Sequence, residues 1–409
     1  MAQPQYVSDE LGTPSDSIAL VLNGDRLLNA IGWEYTEGIL SQPCSWTIQA
    51  GSGDIARKLL KLYPKHTSFQ LYIGTVLQAT GRTDAPMADQ TDGGATVVSF
   101  KGRDSLAPLH DTYVKAQVGV NVTTYADLVR FALKKCGIDP SLLVTDNSAN
   151  RRIKSGVPIT AILPHRTVEQ ILEDAGTGTA PQNAGVVHTQ PLAKLNETWH
   201  QFVRRYLDRA GLMLWAGATG NFILGAPNAS QPATYYLTRN VGTPNQGANV
   251  TGCSFQDDAT HRHTEAIVYG RGGGKIVGRT KAKGSFVDQE MIDAGYGDQP
   301  IVYRDVHVHS SAEASYFARR KLAEERRSGW RLEYRIAGLT LPYAGDGGRS
   351  RAVITPDTVV NVRDEELGLI DNFYVETVIR RRSPQTTTTI RLMRLDDLVF
   401  GGPEADGQS

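Results

Sequence analysis

The chain has 409 residues, of which 40% are hydrophobic and 21% charged, and its 43 basic and 43 acidic side chains give zero formal net charge. This composition excludes a disordered chain, indicates roughly two to four globular domains, and argues against a generally basic nucleic-acid binder. The three scattered cysteines, Cys44, Cys136 and Cys253, form neither a disulfide framework nor a zinc pattern, which suits a reducing cytoplasm. No apolar run approaches the roughly 20 residues of a membrane span, and polar Met1–Asp16 lacks a signal-peptide core.

Alternating apolar and polar residues predict several short antiparallel strands between residues 17 and 118. Ile18–Leu22 alternates and leads into Asn23-Gly24, a strong hairpin signal. Thr80–Gly94 is predicted to be a long polar loop.

The first β-rich region ends at Gly102–Leu109, which reads as a strand exit. Glycine permits a sharp exit there, and Leu106 and Leu109 are expected to pin the following turn against the sheet.

Helical periodicity replaces alternation after Val122. Thr124, Thr167 and Thr198 are predicted N-caps of three amphipathic helices, and Gly211 ends the third. A hairpin follows this third helix, so residues 119–250 are predicted to form an α/β insert.

Alternation returns over residues 251–400. Within this region, a helix over 311–328 is predicted from the N-cap Ser310 and from Gly329 after its end. Its apolar face carries Phe317 and its charged face Arg320, so one face is expected to lie on an antiparallel sheet. Lys281–Gln299 is predicted to be an exposed loop or insertion.

The predicted fold class is therefore α+β. Two antiparallel β-rich regions, barrels or sheets at 17–118 and 251–400, flank the insert at 119–250. Residues 1–16 and 401–409 are predicted to be flexible ends.

Three stretches resemble the baseplate hub proteins of contractile-tailed phages, the Mu-type tail protein family. They are the Gly-Arg strand exit within 96–113, the helix and hairpin within 197–226, and the order of elements within 310–395. The last includes the Gly-rich loop Tyr343–Ser350 and the Pro-Asp-Thr-x-Val-x-Val element that begins at Pro356.

This resemblance implies a duplication of tail-tube-like β domains, each with a packed helix. It implies a homotrimeric ring that joins the hexameric tail tube protein to the trimeric central spike protein, alongside other baseplate proteins. Genomic DNA would pass through the ring without specific binding. The protein would be a structural part of the virion, in the tail baseplate, assembled in the host cytoplasm, with no enzymatic activity and no catalytic, cofactor or metal residues.

Two histidine pairs are candidate metal ligands. His261 and His263 are two positions apart, as are His307 and His309, so on strands each pair would share a face. Two exposed polar strand positions are the simpler interpretation of each pair.

The sequence matches a nucleotide site and a hydrolase site poorly. Gly270–Lys275 fails as a phosphate loop, because Tyr269 replaces the first glycine and Ile276 the required Ser or Thr. Asp364-Glu365-Glu366 is predicted to be a solvated hairpin tip. Glu173, Glu197 and Asp208 lie on predicted helices without catalytic context. A tail-associated cell-wall hydrolase and a glycan-binding β protein remain alternatives to the hub.

Overall fold

The computed structural model describes residues 18–27, 32–40, 43–51, 61–63, 66–90, 96–151, 191–239, 249–270, 282–305, 308, 310–383 and 385–400. The expected flexible ends and the helix predicted after Thr167 lie outside these residues. No helix in the described ranges is long and apolar enough to cross a membrane.

Seven strands form the described part of the first β-rich region. They are β1 (Ile18–Leu22), β2 (Asp25–Leu27), β3 (Gly32–Gly38), β4 (Ser45–Gly51), β5 (Ser68–Ile73), β6 (Val76–Gln90) and β7 (Thr96–Asp104). Burial follows the predicted period of two: along β5, Phe69, Leu71 and Ile73 are buried while Ser68 and Gln70 are exposed.

The loop predicted for Thr80–Gly94 is wrong, because β6 continues through most of it. This strand pairs with β5 at its start and with β7 along most of its length. Backbone pairing with β7 therefore holds this polar segment in a strand, although its sequence shows no apolar alternation.

Short helices and short strands follow β7 and continue into the insert. They are α1 (Ala107–Asp111), β8 (Val118–Gly119), α2 (Tyr125–Lys135), β9 (Leu143–Thr145), β10 (Leu192–Ala193), α3 (Trp199–Ala210), β11 (Met213–Ala216) and β12 (Phe222–Gly225). Two predicted caps are confirmed: the Thr124 hydroxyl accepts from the backbone N–H of Asp127, and Thr198 forms a full capping box with Gln201. Gly211 ends α3 in the left-handed conformation, with φ of 63°.

The remaining elements form the C-terminal part. They are β13 (Tyr235–Arg239), β14 (Val250–Asp257), β15 (Glu265–Gly270), β16 (Ala282–Val287), α4 (Gln289–Asp293), β17 (Pro300–Asp305), α5 (Ser311–Gly329), β18 (Trp330–Ala337), β19 (Thr340–Pro342), β20 (Arg351–Val353), β21 (Val359–Asp364), β22 (Leu369–Arg382) and β23 (Thr386–Arg394). The exposed loop predicted for Lys281–Gln299 is thus wrong for residues 282–293, because β16 pairs with β15 throughout its length and α4 follows it.

Within the described residues, one large sheet contains thirteen strands, which come mainly from the two β-rich regions. Its order is β14-β18-β23-β22-β3-β4-β7-β6-β5-β1-β2, and β21 also pairs with β22 while β13 pairs with β21. Three-stranded sheets β11-β12-β9 and β16-β15-β17 accompany it. The molecule is β-rich with several sheets, and among the described strands none of these sheets closes into a barrel.

The two β-rich regions meet where β22 pairs with β3, in register from Thr377 opposite Gly38 to Arg382 opposite Trp33. The strand β22 is long enough to pair with β21 through its first half and with β3 through its second half. We call the β3–β22 pairing the seam.

Separate apolar clusters lie under the sheets. Leu106 and Leu109 are fully buried, but they pack into the cluster of the insert with α2 and α3. Our expectation that they pin a turn on the first sheet is therefore wrong. Gly102 is needed for close approach rather than for a sharp exit, because a Cβ there would lie 2.6 Å from the ring of Trp46.

Ser310 is the N-cap of the long helix α5, as predicted, but Gly329 is the last residue of the helix rather than the one after its end. The helix lies on the small sheet β16-β15-β17 rather than mainly on the large one. Ala314, Ala318 and Leu322 pack on that sheet, with Phe317 only partly buried. A second side buries Tyr316 and Ala323 against Val399. The prediction of a single apolar face is wrong, since α5 is covered from two directions.

Candidate functional site

A buried ion pair lies at the seam. Arg380, 0% exposed, donates from Nη1 to Glu37 Oε2 at 3.0 Å and from Nη2 to the backbone oxygen of Ile354. Its guanidinium also lies 5.2 Å from the ring centroid of Tyr35, directly across the strand pair. Burial raises the pKa of Glu37, while Arg380 opposes that rise. The arginine thus ties both β-rich regions together inside the sheet.

An ionic network fastens the small sheet to the rest of the molecule. Arg262, 5% exposed, lies 3.0 Å from Asp288 and 3.2 Å from Glu290, and Arg394 reaches the same Glu290 at 2.9 Å. Arg326 of α5 lies 2.7 Å from buried Asp397, whose pKa is raised by burial. Through these ion pairs, Asp288 and Glu290 connect the small sheet to Arg394 at the end of β23.

A cleft of about 520 Å³ opens between α3, α5 and the large sheet. We call it the central cleft. Its apolar wall includes Leu207, Met213, Met393 and Phe400.

The two helices meet across the central cleft through one ion pair, Arg320 Nη2 to Asp208 Oδ1 at 3.5 Å. Arg320 also pairs with Glu324 at 3.2 Å and is only 8% exposed, so its predicted place on a solvated charged face is wrong. Burial raises the pKa of Glu376 and lowers that of Arg327, both of which face the cleft.

Two histidines stack at the edge of the central cleft. The rings of His110, from α1, and His200, from α3, lie 3.6 Å apart at an interplanar angle of 22°. Burial, the neighbouring imidazole and Arg204 lower the pKa of His200 to about 3. Burial followed by Arg103 lowers the pKa of His110. Both rings are therefore neutral near pH 7.

The structure places His261 and His263 in a turn before β15, not on a strand. His261 is exposed, while Nδ1 of His263 lies 3.0 Å from the carboxylate of Glu325. His307 and His309 lie outside the described residues. Within the part of the chain that the structure describes, no three His, Cys, Asp or Glu side chains are grouped to hold a metal ion.

Asp364 is not at a solvated tip. It is 0% exposed, accepts a hydrogen bond from the Tyr334 hydroxyl at 2.8 Å, and lies 3.5 Å from Arg239. Its Oδ1 also accepts from the backbone N–H groups of Glu366 and Leu367, so it shapes the β21–β22 turn.

The helical carboxylates named as hydrolase candidates have structural contacts. Glu197 pairs with Arg205 at 2.8 Å and Asp208 with Arg320. Glu173 and residues 271–275 of the glycine-rich segment lie outside the described residues.

Sequence reasoning missed Arg380, Arg262 and the stacked histidines. Arg380 is the first of three consecutive arginines, Arg380–Arg382, so the sequence does not distinguish its inward position on β22 from the exposed positions that follow. The partners of the other residues are distant in sequence, so no local pattern could identify them.

Neither a scan against protein-family models nor a search of curated proteins finds a match to this chain. Solved structures do match it. The 43 kDa tail protein of prophage MuSo2 from Shewanella oneidensis is 16% identical, with a TM-score of 0.68 over 94% of this chain and 99% of that one. The tail protein from Neisseria meningitidis MC58 is also 16% identical, with a TM-score of 0.69 over 93% and 98%.

A more distant match is an Escherichia coli component of the type VI secretion system, described as structurally similar to the T4 bacteriophage tail proteins gp27 and gp5. It is 10% identical, with a TM-score of 0.52 over 92% of this chain and 76% of that one. The chain therefore has the fold of phage tail proteins over almost its whole length, and the resemblance seen in the sequence is confirmed at the level of the fold.

Proposed function

We propose that this chain belongs to the Mu-type hub family and is a structural component of a phage or phage-like contractile tail, the central hub of its baseplate. The single observation that carries the proposal is the fold shared with the Shewanella tail protein across 94% of this chain and 99% of that one. A match of this extent includes both β-rich regions and the insert, so it does not depend on one common domain.

The proposed assembly is a homotrimeric ring, with regions 17–118 and 251–400 as tube-like domains that alternate around a pseudo-six-fold axis. Three chains would then present six similar surfaces to a hexameric tube and three to a spike. The seam supports this arrangement, because it fixes the two regions of one chain side by side in one sheet. A closed ring requires heterologous contacts between unlike faces of neighbouring chains.

Strand edges supply a physical reason for assembly. The large sheet ends at β14 on one side and at β2 on the other. The edge strand β14 contains neither lysine nor proline, and its Phe255 is 47% exposed. An open edge of this kind favours pairing with another chain, so ring closure would protect it.

Imaging of the assembled particle tests the proposal. Three copies of this chain around a central hole, with the two regions alternating, are expected. Six copies, or the two regions stacked along the axis, would refute the proposed ring. The isolated chain is a weaker test, since ring contacts depend on concentration.

The proposed role also excludes tight DNA binding and lytic activity. A genome that passes through the ring must not adhere, so duplex DNA should show no measurable binding at physiological salt. A salt-sensitive submicromolar dissociation constant would contradict free passage. A zymogram on purified cell wall should show no lytic band. A lytic band from the isolated chain would favour the hydrolase alternative.

A further inference from the structure

A second cavity lies beside the central cleft, between α3 of the insert and the small sheet with α5. It has a volume of about 470 Å³. Five of its eleven lining residues are cationic and only two are acidic, namely Asp208 and Asp305. The cations are Arg204, Arg205, Arg209, Arg304 and Lys321. We call this cavity the cationic groove; its charge contrasts with the zero net charge of the whole chain.

Not all of these cations are neutralised by neighbours. Arg205 pairs with Glu197 at 2.8 Å, and Lys321 pairs with Glu324 at 2.6 Å. The side chains of Arg209 and Arg304, by contrast, form no hydrogen bond or ion pair with any other described residue. They extend from different elements, α3 and β17, so two guanidinium groups with free donors belong to opposite walls.

The walls also offer apolar contact. Phe317 of α5 and Tyr303 of β17 are partly buried and line the groove, and the Nζ of Lys321 lies 5.9 Å from the ring centroid of Tyr303. A ligand that fits must therefore carry negative charge together with at least one apolar group.

We propose that the cationic groove binds an acidic polypeptide segment of a partner protein, in which carboxylates lie next to an apolar side chain. Guanidinium groups bind carboxylates in bidentate geometry, and two of them on opposite walls can hold two acidic residues of one extended segment. A nucleic acid is disfavoured, since its uniform phosphate charge would meet Asp208 and Asp305 and would leave the aromatic wall unused. The inference does not depend on the hub proposal.

The test uses the full-length protein and a fluorescein-labelled, glutamate-rich peptide with one central leucine, followed by fluorescence anisotropy. A peptide with glutamine in place of every glutamate is the ligand control. The double variant Arg209→Glu, Arg304→Glu should weaken binding of the acidic peptide at least about tenfold, a change of about 1.4 kcal/mol. The variant Arg209→Lys, Arg304→Lys should keep part of the affinity because the charge remains.

The matched control is Arg335→Glu, Arg349→Glu, which makes the same change in net charge at two exposed arginines away from the groove. It should alter the affinity less than about twofold, since exposed charges beyond a Debye length are screened. Unchanged melting temperatures of all variants show that binding, not folding, is measured.

An equal loss in the groove variant and the control would overturn the proposal, because net charge alone would then explain binding. Absence of binding by the wild-type chain would also overturn it. Duplex DNA that binds more tightly than the peptide and loses affinity in the groove variant would assign the site to nucleic acid instead.

Discussion

The first β-rich region and the small C-terminal layer are both packed against neighbouring elements, but the contacts that stabilise them differ in chemistry. The first region buries aromatic rings such as Trp46, Phe69 and Phe100, with Trp46 and Phe69 in edge-to-face contact at 4.8 Å. The small layer of β15–β17 is joined to the rest of the molecule through Arg262, Asp288 and their ionic neighbours. An apolar interior tolerates small shifts of its groups, whereas a buried ionic network depends on every partner.

The difference predicts which part loses stability when single side chains are removed. The largest loss is expected for Phe100→Ala in the first region, about 4 kcal/mol of unfolding free energy, because a fully buried ring leaves a cavity. Met87→Ala on the neighbouring strand is the control, since Met87 is 40% exposed and should cost under about 1 kcal/mol. Urea unfolding measures both, and equal losses would mean that the region has no aromatic core.

Arg262→Ala should cost about 3 kcal/mol, because it leaves buried Asp288 without its close partner. The effect should be concentrated in the small layer, so hydrogen exchange should rise in β15 and β16 before it rises in β4 or β7. An equal rise in hydrogen exchange throughout the chain would show that the network does not stabilise the small layer in particular.

Arg320→Ala should cost about 1–2 kcal/mol, since it removes ion pairs to Asp208 and Glu324 at a mostly buried position. Arg320→Met keeps the apolar stem and should recover part of the loss. Thermal unfolding of both variants separates packing from charge. A loss near zero for Arg320→Ala would support the prediction from the sequence that Arg320 lies on a solvated face of the helix.

Acid should weaken the contact between the first region and the insert through the stacked histidines. The pKa of His200 is about 3 in the fold and about 6.5 in the unfolded chain, so the unfolded state binds more protons and stability falls as pH decreases below about 6.5. The nearby charges are Arg103 and Asp111 beside His110, and Arg204 beside His200.

We expect wild type to lose about 2 kcal/mol more than His200→Gln between pH 7 and pH 5. The difference between the two proteins isolates His200, because burial raises the pKa of Asp104 to about 6 and gives the opposite slope in both. If the unfolding free energies of the two proteins changed equally with pH, the pKa of His200 would not be lowered in the folded state.

The smallest effect concerns the solvent side of the seam. Glu34→Gln removes the exposed pair with Arg381 and should cost under about 1 kcal/mol. Glu37→Gln removes the partner of buried Arg380 and should cost more, even though both pairs join the same two strands. If both substitutions lower the unfolding free energy equally, burial of the Glu37–Arg380 pair does not increase its contribution to stability.

The sequence predicted the elements whose structure depends on local interactions. The helix α3 was predicted correctly, with its caps, because Trp199, Phe202 and Tyr206 share one stripe and the capping box is local. The strands with clear alternation were also found. The fold class followed from these local signals together with the family resemblance.

Predictions failed where distant partners decide the structure. The second covered side of α5 depends on Val399, some 80 residues further along the chain (Tyr316 to Val399, separation 83), and β6 depends on pairing with β7. The cationic groove joins residues of α3 and β17 that are about 100 positions apart in the sequence, so its two unpaired arginines could not be recognised as one site.

The seam also has a consequence for biosynthesis. Glu37 and Arg380 are 343 positions apart, so the edge of β3 that receives β22 lacks this partner until translation has passed residue 380. At about 5–20 residues per second, this delay amounts to roughly 20–70 s. During that time the nascent first region exposes an unpaired strand edge to other chains, and completion of the large sheet is expected to be slow.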